Sequence, residues 1–403
     1  MTRGSHMRSA TLVALLALTL PTLATARTWH VPGDAPTIQA GIDSAMTGDD
    51  VLVAPGVYFE HDILLKAGVW VHSEQGPDQT TIDATGAGVG FTCADLDQAP
   101  VVEGFTILNG YAQGGDMDLA SGGGVRCVRS QLVIHGCVVT SCTADGLGGG
   151  IYASAASTVE IDACMVSGCS ASGGGGIAAH NWAIAAITDC EIVENEASAG
   201  GGGGILAFGP ELSVNRCVIG GNEAGWGDGG GILCGSPALA IRDCLVTHNF
   251  VSDIYEGGGI AVMSSYGVID GCTVAHNEGA SPPGGLLLIS SEIEVDNTII
   301  AINDGMALVC HDSPQITVRC CDVYGNTEGD DICGTDLGGN FSADPLFCDA
   351  VNGEYTLDGC SPCLPGNHPD GVECGLIGAL GQGCGATAIE KTSWGRIKAL
   401  YRR

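Results

Sequence analysis

The residues with most chemistry in them lie in short polar segments between apolar runs. One such set is Trp226 and Asp228, followed by Asp253, Tyr255 and Glu256. An exposed indole with a phenol nearby offers flat faces on which sugar rings stack. The carboxylates accept hydroxyl hydrogen bonds or hold calcium through oxygen ligands. Asp228 and Glu256 each immediately precede a triple glycine, so a shared register predicts that they are stacked neighbours. His248 and His276 share a second register with Glu194, a column with the makings of a metal site, although exposed turn histidines are the simpler expectation. A glycoside hydrolase needs two carboxylates converging on one bond. The adjacent pairs Asp49/Asp50 and Asp330/Asp331 are the acids closest together, but they fall where solvated turns are expected. A lyase acting on uronate polymers needs a base and positive charge. Lys66, Arg126, Arg129, Arg216, Arg242 and Arg319 are scattered, and Arg396-Ile397-Lys398 lies in the tail. No triad, phosphate loop or dinucleotide fingerprint stands out, and no catalytic residue is assigned.

These residues are carried by a repeat. Triple glycines precede Val125, Ile151, Ile177, Ile205, Ile232 and Ile260, which are 26 to 28 residues apart, and Leu286 continues the series. Each repeat contains three period-2 runs: Val125/Cys127 to Ile260/Val262, Leu132/Ile134 to Ile293/Val295, and Cys137/Val139 to Cys272/Val274. Alternation puts each pair on one face, so every repeat supplies three inward faces of a triangular prism. The expected fold is all-β: a right-handed parallel β-helix, a three-sheet solenoid of about eight to ten coils at about 4.8 Å each. Glycine recurs because stacked turns need positive φ and close backbone approach. Asn195, Asn222, Asn249, Asn277 and Asn326 should stack as an amide ladder, with Cys142 and Cys169 in that register in the first coils. Asp34 or Thr37 can cap a short helix over the amino end, in which Ile38, Ile42 and Ala45 share a face. The segment Phe341 to Cys384 reads as an irregular, Cys-rich carboxyl cap.

Arg3 and Arg8, the apolar run Ala10 to Leu20 and Ala24-Thr25-Ala26 have the pattern of a secretory signal. The expected organisation is a signal peptide at 1–26, the β-helix with both caps at 27–384, and a basic amphipathic tail at 385–403. In that tail Trp394, Ile397 and Tyr401 share a helical face, beside Lys391, Arg396, Lys398, Arg402 and Arg403. It is the one segment expected to touch a membrane. The net charge of −32 makes nucleic acid an unsuitable partner. Twenty cysteines divide in two. Those in repeat registers should be buried thiols, since in-register neighbours are too far apart for good disulfide geometry. The last six, Cys333, Cys348, Cys360, Cys363, Cys374 and Cys384, should form disulfides whose pairing stays open. Cys360-x-x-Cys363 also has zinc-ligand spacing, an assignment that export disfavours.

The run Thr37-Ile38-Gln39-Ala40-Gly41-Ile42, with Gly48-Asp49-Asp50-Val51-Leu52-Val53-Ala54-Pro55-Gly56-Val57-Tyr58, resembles the opening segment of pectin-lyase-like β-helix proteins. The glycine-Ile starts, with Val246-Thr247-His248-Asn249 and Val274-Ala275-His276-Asn277, are similar to repeats of polymorphic outer-membrane proteins, without their carboxyl-terminal barrel. Ser342-Ala343-Asp344-Pro345-Leu346-Phe347 and Cys374-Gly375-Leu376-Ile377-Gly378-Ala379 are similar to closing segments of secreted members. Many proteins resembling this one are polysaccharide lyases, hydrolases or epimerases. The resemblance therefore implies the fold and keeps a polysaccharide-active enzyme as the alternative. With no convergent catalytic set, the expectation is a secreted or cell-surface structural and adhesive protein that binds polysaccharide or a cell-surface glycan. Its site would be the turns holding Trp226, Asp228, Asp253, Tyr255 and Glu256, with calcium as the candidate ion.

Overall fold

The computed structural model describes residues 26–252, 256–279, 283–313 and 315–385; the expected signal segment and basic tail lie almost wholly outside them. The chain winds into coils, of which Val125–Val128, Gln131–His135, Val138–Thr140 and Thr143–Ala144 form one. Successive coils pair in parallel and in register: Val125 with Ile151, Leu132 with Val159, Val139 with Val166, Thr143 with Ser170. We number the resulting sheets in the order the coil visits them. Sheet 1 has 10 strands, sheet 2 has 13, sheet 3 has 11 and the short sheet 4 has 7. This is the expected all-β parallel β-helix, filled by inward Val, Ile, Leu and Cys side chains.

The rod is longer than the repeat count implied. Thirteen strands at about 4.8 Å span about 58 Å. The first coils, from Thr28 to Ala112, lack the triple glycines that mark later ones, and so escape a count based on them. In the coil after Val262 the second strand is Tyr266–Asp270. Gly267 therefore stands inward there, and Ile293 belongs to the next coil.

Single residues in the left-handed region turn the corners: Arg129, Gly136 and Ser141 have φ of 51°, 57° and 54°. The triple glycines answer a space requirement. A Cβ on Gly150 would lie 2.7 Å from the Gly176 carbonyl oxygen, and one on Gly149 would lie 2.4 Å from that of Ser170.

The corner after sheet 3 is sealed by the amide ladder. Asn222 Nδ2 donates to Ile192 O and to Asn249 Oδ1, both at 2.9 Å, while Asn222 Oδ1 accepts from Asn195 N–H and Nδ2, both at 3.0 Å. The series continues through Asn277 and Asn303 to Asn326. Asn303 follows Thr298 rather than a cysteine, which hid it in the sequence. Asp330 ends the ladder by accepting from Gly325 N–H, Asn326 N–H and Asn326 Nδ2 (2.9, 2.9 and 2.7 Å), so it is no free turn acid.

The repeat cysteines from Cys93 to Cys272, with Cys321, are buried thiols, as expected. They do more than fill space. Cys164 Sγ accepts the Cys137 N–H and Cys190 Sγ accepts that of Cys164, each at 3.4 Å. Thr298 Oγ1 plays the same part for Cys272 N–H at 3.3 Å.

At the amino end, helix Ile38–Ser44 is N-capped by Thr37 and buries Ile38, Gly41 and Ile42 over the first coils. The Cys-rich carboxyl-terminal segment folds back along the outer face of sheet 3, after Ile332 and Cys333 have packed against the main core. There Leu357, Cys363 and Ile377 pack on Ile299 and Ala301, and Tyr355 packs on Leu245 and Ala275. The disulfides differ from a closed set among the last six cysteines. Cys333 bonds Cys310 and Cys374 bonds Cys320, both partners from the rod, while Cys348 bonds Cys384. Cys360 is an exposed thiol, and Cys363 is buried and donates to Asp322 Oδ2 at 3.2 Å. Burial pushes the Asp322 carboxyl up to about 7.

His248 and His276 form the docking point of this segment rather than two free turn histidines. Their rings stack 5.3 Å apart and 6° from parallel. Tyr355 sets its edge against both rings; its hydroxyl lies 2.9 Å from His276 Nδ1 and accepts from Thr247 Oγ1 at 2.8 Å. Burial lowers both histidine pKa values, and His248 lowers that of His276 further.

Two outcomes follow. Replacing Asn222 with Leu strands its ladder partners without acceptors and donors, and should cost roughly 3 kcal/mol, read as a fall in the denaturation midpoint. Ser213→Leu, on the outer face of the same coil, should stay within about 0.5 kcal/mol. The lowered histidine values make docking fully stable above the unfolded value of 6.5 and weaker as pH falls below it. Hydrogen exchange at Thr356 and Leu357 should therefore quicken at about pH 5 relative to about pH 7.5, after correction for intrinsic rates. Equal protection at both values, or the same pH response in H248Q/H276Q, would refute the assignment.

Candidate functional site

Sheet 4 is built from two-residue strands in which the first side chain faces out and the second faces in: Tyr111-Ala112, Thr143-Ala144, Ser170-Ala171, Glu196-Ala197 and Glu223-Ala224. Each of these alanines is buried. Such small inward residues let the sheet sit close to the core. Two depressions of about 500 Å³ and about 510 Å³ lie along it and meet at Thr143. Asp83, Asn109, Tyr111 and Ser141 line the first; Asp145, Ser170, Ser172, Glu196 and Ser198 line the second. The trough crosses five rungs, about 19 Å of rod.

Its side chains are held in place before any ligand arrives. Asn109 Nδ2 donates to Asp83 Oδ1 and Tyr111 Oη donates to Asp145 Oδ1, both at 2.9 Å; the Thr143 and Ser170 hydroxyls lie 3.3 Å apart. The bond to Asp145 raises the Tyr111 pKa and keeps it a neutral donor. The result is a strip in which hydroxyls recur from rung to rung and carboxylates on alternate rungs, the rung spacing being close to the length of one residue in an extended sugar chain.

Of the residues expected to bind ligand, Trp226 is 64% exposed and stands one rung past the trough. It follows Gly225, whose N–H bonds Ala197 O at 2.7 Å beside Ser198. Asp228 and Glu256 are stacked neighbours: Asp228 Oδ1 accepts the Glu256 N–H at 3.0 Å. Glu256 Oε2 lies 3.7 Å from His311 Nε2. Asp253 and Tyr255 lie outside the described residues. The trough residues went unnoticed because their types vary from coil to coil. The signal available was the recurring polar-alanine dipeptide after each ladder position.

The other candidate sets are put to structural use. Asp49 accepts the Arg27 and Met46 N–H groups at 2.8 and 2.9 Å, which lowers its pKa; the Met46 bond is the larger cause. Asp50 accepts from Thr28 and pairs with His72 at 3.1 Å. Asp49 caps a turn and Asp50 bonds across strands, so neither is a free turn acid. Arg129 grips Asp95, Arg216 grips Asp189 and Arg319 pairs with Asp296. Arg126 donates to Leu119 O and Thr92 Oγ1. Among the described residues, no three His, Cys, Asp or Glu side chains are gathered for a metal ion, and no helix is long and apolar enough to cross a membrane.

The family model described as "Right handed beta helix region" matches residues 66–245 and 213–342. No curated protein matches the chain at the level of sequence. Three solved structures are similar to it. Pectate lyase Pel9A is 13% identical, covering 90% of this chain and 98% of its own, with a TM-score of 0.48. The A-module of the Azotobacter vinelandii mannuronan C-5 epimerase AlgE6 is 14% identical over 76% of this chain and 94% of its own, with a TM-score of 0.36. A pectin methylesterase D178A mutant in complex with a hexasaccharide is 11% identical over 78% of this chain and 92% of its own, with a TM-score of 0.29. With matched segments that together run from residue 66 to residue 342 of a continuous stack of coils, this chain belongs to the right-handed β-helix family.

Proposed function

We propose that this protein is an exported, surface-exposed rod that binds a polysaccharide along the sheet 4 trough without cleaving it. The observation that carries this reading is the strip from Asp83 to Ser198, in which hydroxyls recur from rung to rung and a carboxylate stands on every second rung of a trough open to solvent. A linear polymer lying along the rod meets polar side chains, of differing type, at every rung, and Trp226 offers a stacking face one rung beyond the last lining residue. Export is the reading of the amino-terminal sequence pattern, and the three disulfides suit a chain that matures outside the cytosol.

Hydrolysis is the rival reading, because Asp83, Asp145 and Glu196 line the same open trough. Their separation of two rungs, about 10 Å along the rod, is wider than an inverting carboxylate pair uses and counts against it.

A panel of neutral and charged oligosaccharides, with and without calcium, separates the two. Binding seen by calorimetry should weaken roughly tenfold in W226A and in Y111A, with little change in melting temperature, and no new reducing ends or unsaturated sugars should appear. Release of such ends, abolished in E196Q or D145N, would replace the binding reading with the enzymatic one. A loss of thermal stability with unchanged binding would assign Trp226 and Tyr111 to packing.

A further inference from the structure

The carboxyl-terminal segment carries chemistry that glycan binding does not use. Most cysteines of the chain are bonded in pairs or buried in the rod, and among the described residues Cys360 is the one exposed free thiol. Three positions on, past Ser361 and Pro362, Cys363 is a free thiol with no exposed surface. Two successive turns fold this stretch on itself: Ser361 N–H bonds Asp358 O at 2.9 Å, and Leu364 N–H bonds Ser361 O at 3.3 Å. The bend is anchored from within, since Ser361 Oγ donates to Pro345 O at 2.7 Å and accepts the Cys363 N–H at 3.2 Å. An outward thiol and an inward one thus share one bend, at the Cys-x-x-Cys spacing that suits a reversible disulfide.

Behind Cys363 stands a carboxylate. Asp322 is 0% exposed, and Cys363 beside it packs among Ile299, Ala301, Leu357 and Ile377. Asp322 Oδ1 accepts the Ala343 N–H at 3.0 Å, and Oδ2 accepts the Cys363 thiol at 3.2 Å. An asparagine would serve Ala343 equally well without the cost of a buried charge. What the carboxylate adds is the capacity to take the thiol's proton. Burial raises Asp322 to about 7, so near neutral pH it both accepts a proton and gives it up. Burial, with the charge of Asp322 beside it, also pushes the Cys363 thiol up, so this sulfur reacts only with a base at hand.

Independently of the trough, we infer that Cys360 and Cys363 form a thiol–disulfide exchange site whose substrate is an external disulfide, with Asp322 as the proton acceptor for Cys363. The Cys360 thiolate attacks one sulfur of the external disulfide; that bond breaks, and the departing thiolate takes up the proton that Cys360 lost to solvent. Cys363 then attacks Cys360 Sγ in the mixed disulfide while its proton passes to Asp322 Oδ2. The second thiolate leaves and is protonated as Asp322 returns its proton to solvent, and a Cys360–Cys363 disulfide remains. Two electrons and two protons have moved from the cysteine pair to the external disulfide, and an excess of external thiol runs the exchange backwards.

Oxidised glutathione is the probe, added to the full chain after mild reduction with reduced glutathione. Acid quenching, alkylation and peptide mass mapping then read the state of each cysteine. The protein should form a Cys360–Cys363 disulfide with only a transient adduct on Cys360, while Cys310–Cys333, Cys320–Cys374 and Cys348–Cys384 stay intact. C363S should accumulate glutathione on Cys360, and C360S should not react. D322N should form the adduct at the unmodified protein's rate but resolve it at least roughly tenfold more slowly, a split between the two steps that a purely structural role would not produce. Its melting temperature confirms the fold, and D322S takes its place if D322N is unstable. The same assay with insulin tells a protein disulfide from a small one as the faster substrate. An adduct on Cys360 of the unmodified protein as lasting as that in C363S, or oxidation of Cys363 to Cys374 instead of Cys360, overturns the site. Equal resolution with and without the Asp322 carboxylate overturns its role as proton acceptor.

Discussion

The whole rod depends on what happens to backbone N–H groups at its buried corners. A solenoid of this kind turns so sharply that some corner amides point along the axis, away from water, and each must find an acceptor on the coil beside it. The protein meets this with side chains at fixed positions: Asn at the corner after sheet 3, and Cys or Thr at the corner before it. An asparagine serves especially well because one amide both donates and accepts along the column. Cysteine is the weaker acceptor, but it tolerates the apolar side of the corner. With these columns in place the strands can be short and the glycine turns tight, and every coil repeats the geometry of the last.

That regularity leaves the outer faces free to differ, and they do. The outer face of sheet 1 is apolar and is covered by the glycine-rich turns that fold over Leu206, Leu233 and Leu287. Sheet 3 is covered in its later coils by the returning carboxyl-terminal segment, which brings Tyr355 onto the two histidines. Sheet 4 in the earlier coils stays open and polar. The candidate site therefore lies on a face that no other part of the described chain occupies.

The repeat made the fold readable in the sequence, because inward positions must alternate and the ladder must fall five residues after each third-strand cysteine. Asn303 shows the limit of that reading: its coil carries Thr298 in the cysteine position, a chemical substitute that pattern alone does not reveal. The trough was hidden for a related reason. Tyr111, Thr143, Ser170 and Glu196 are one column in space but four residue types in the sequence. The cap was least legible, since Tyr355 meets His248 across 107 positions and Cys374 reaches back 54 to Cys320, distances over which no local periodicity acts. Asp228 and Glu256, by contrast, were placed side by side by their shared glycine register.

All three disulfides lie between Cys310 and Cys384, so the rod is covalently fastened at one end only. The other end is closed by the seven residues Ile38–Ser44 and their apolar contacts. In a stack whose stability is a sum of nearest-neighbour interfaces, loss of order begins where the terminal interface is weakest. The molecule is thus a zipper with a stop at its carboxyl end, and heat, force or a protease will open it from the amino end inward. The coils that carry the trough, from Asp83 onward, are among the first that such peeling reaches, whereas the stapled coils outlast them.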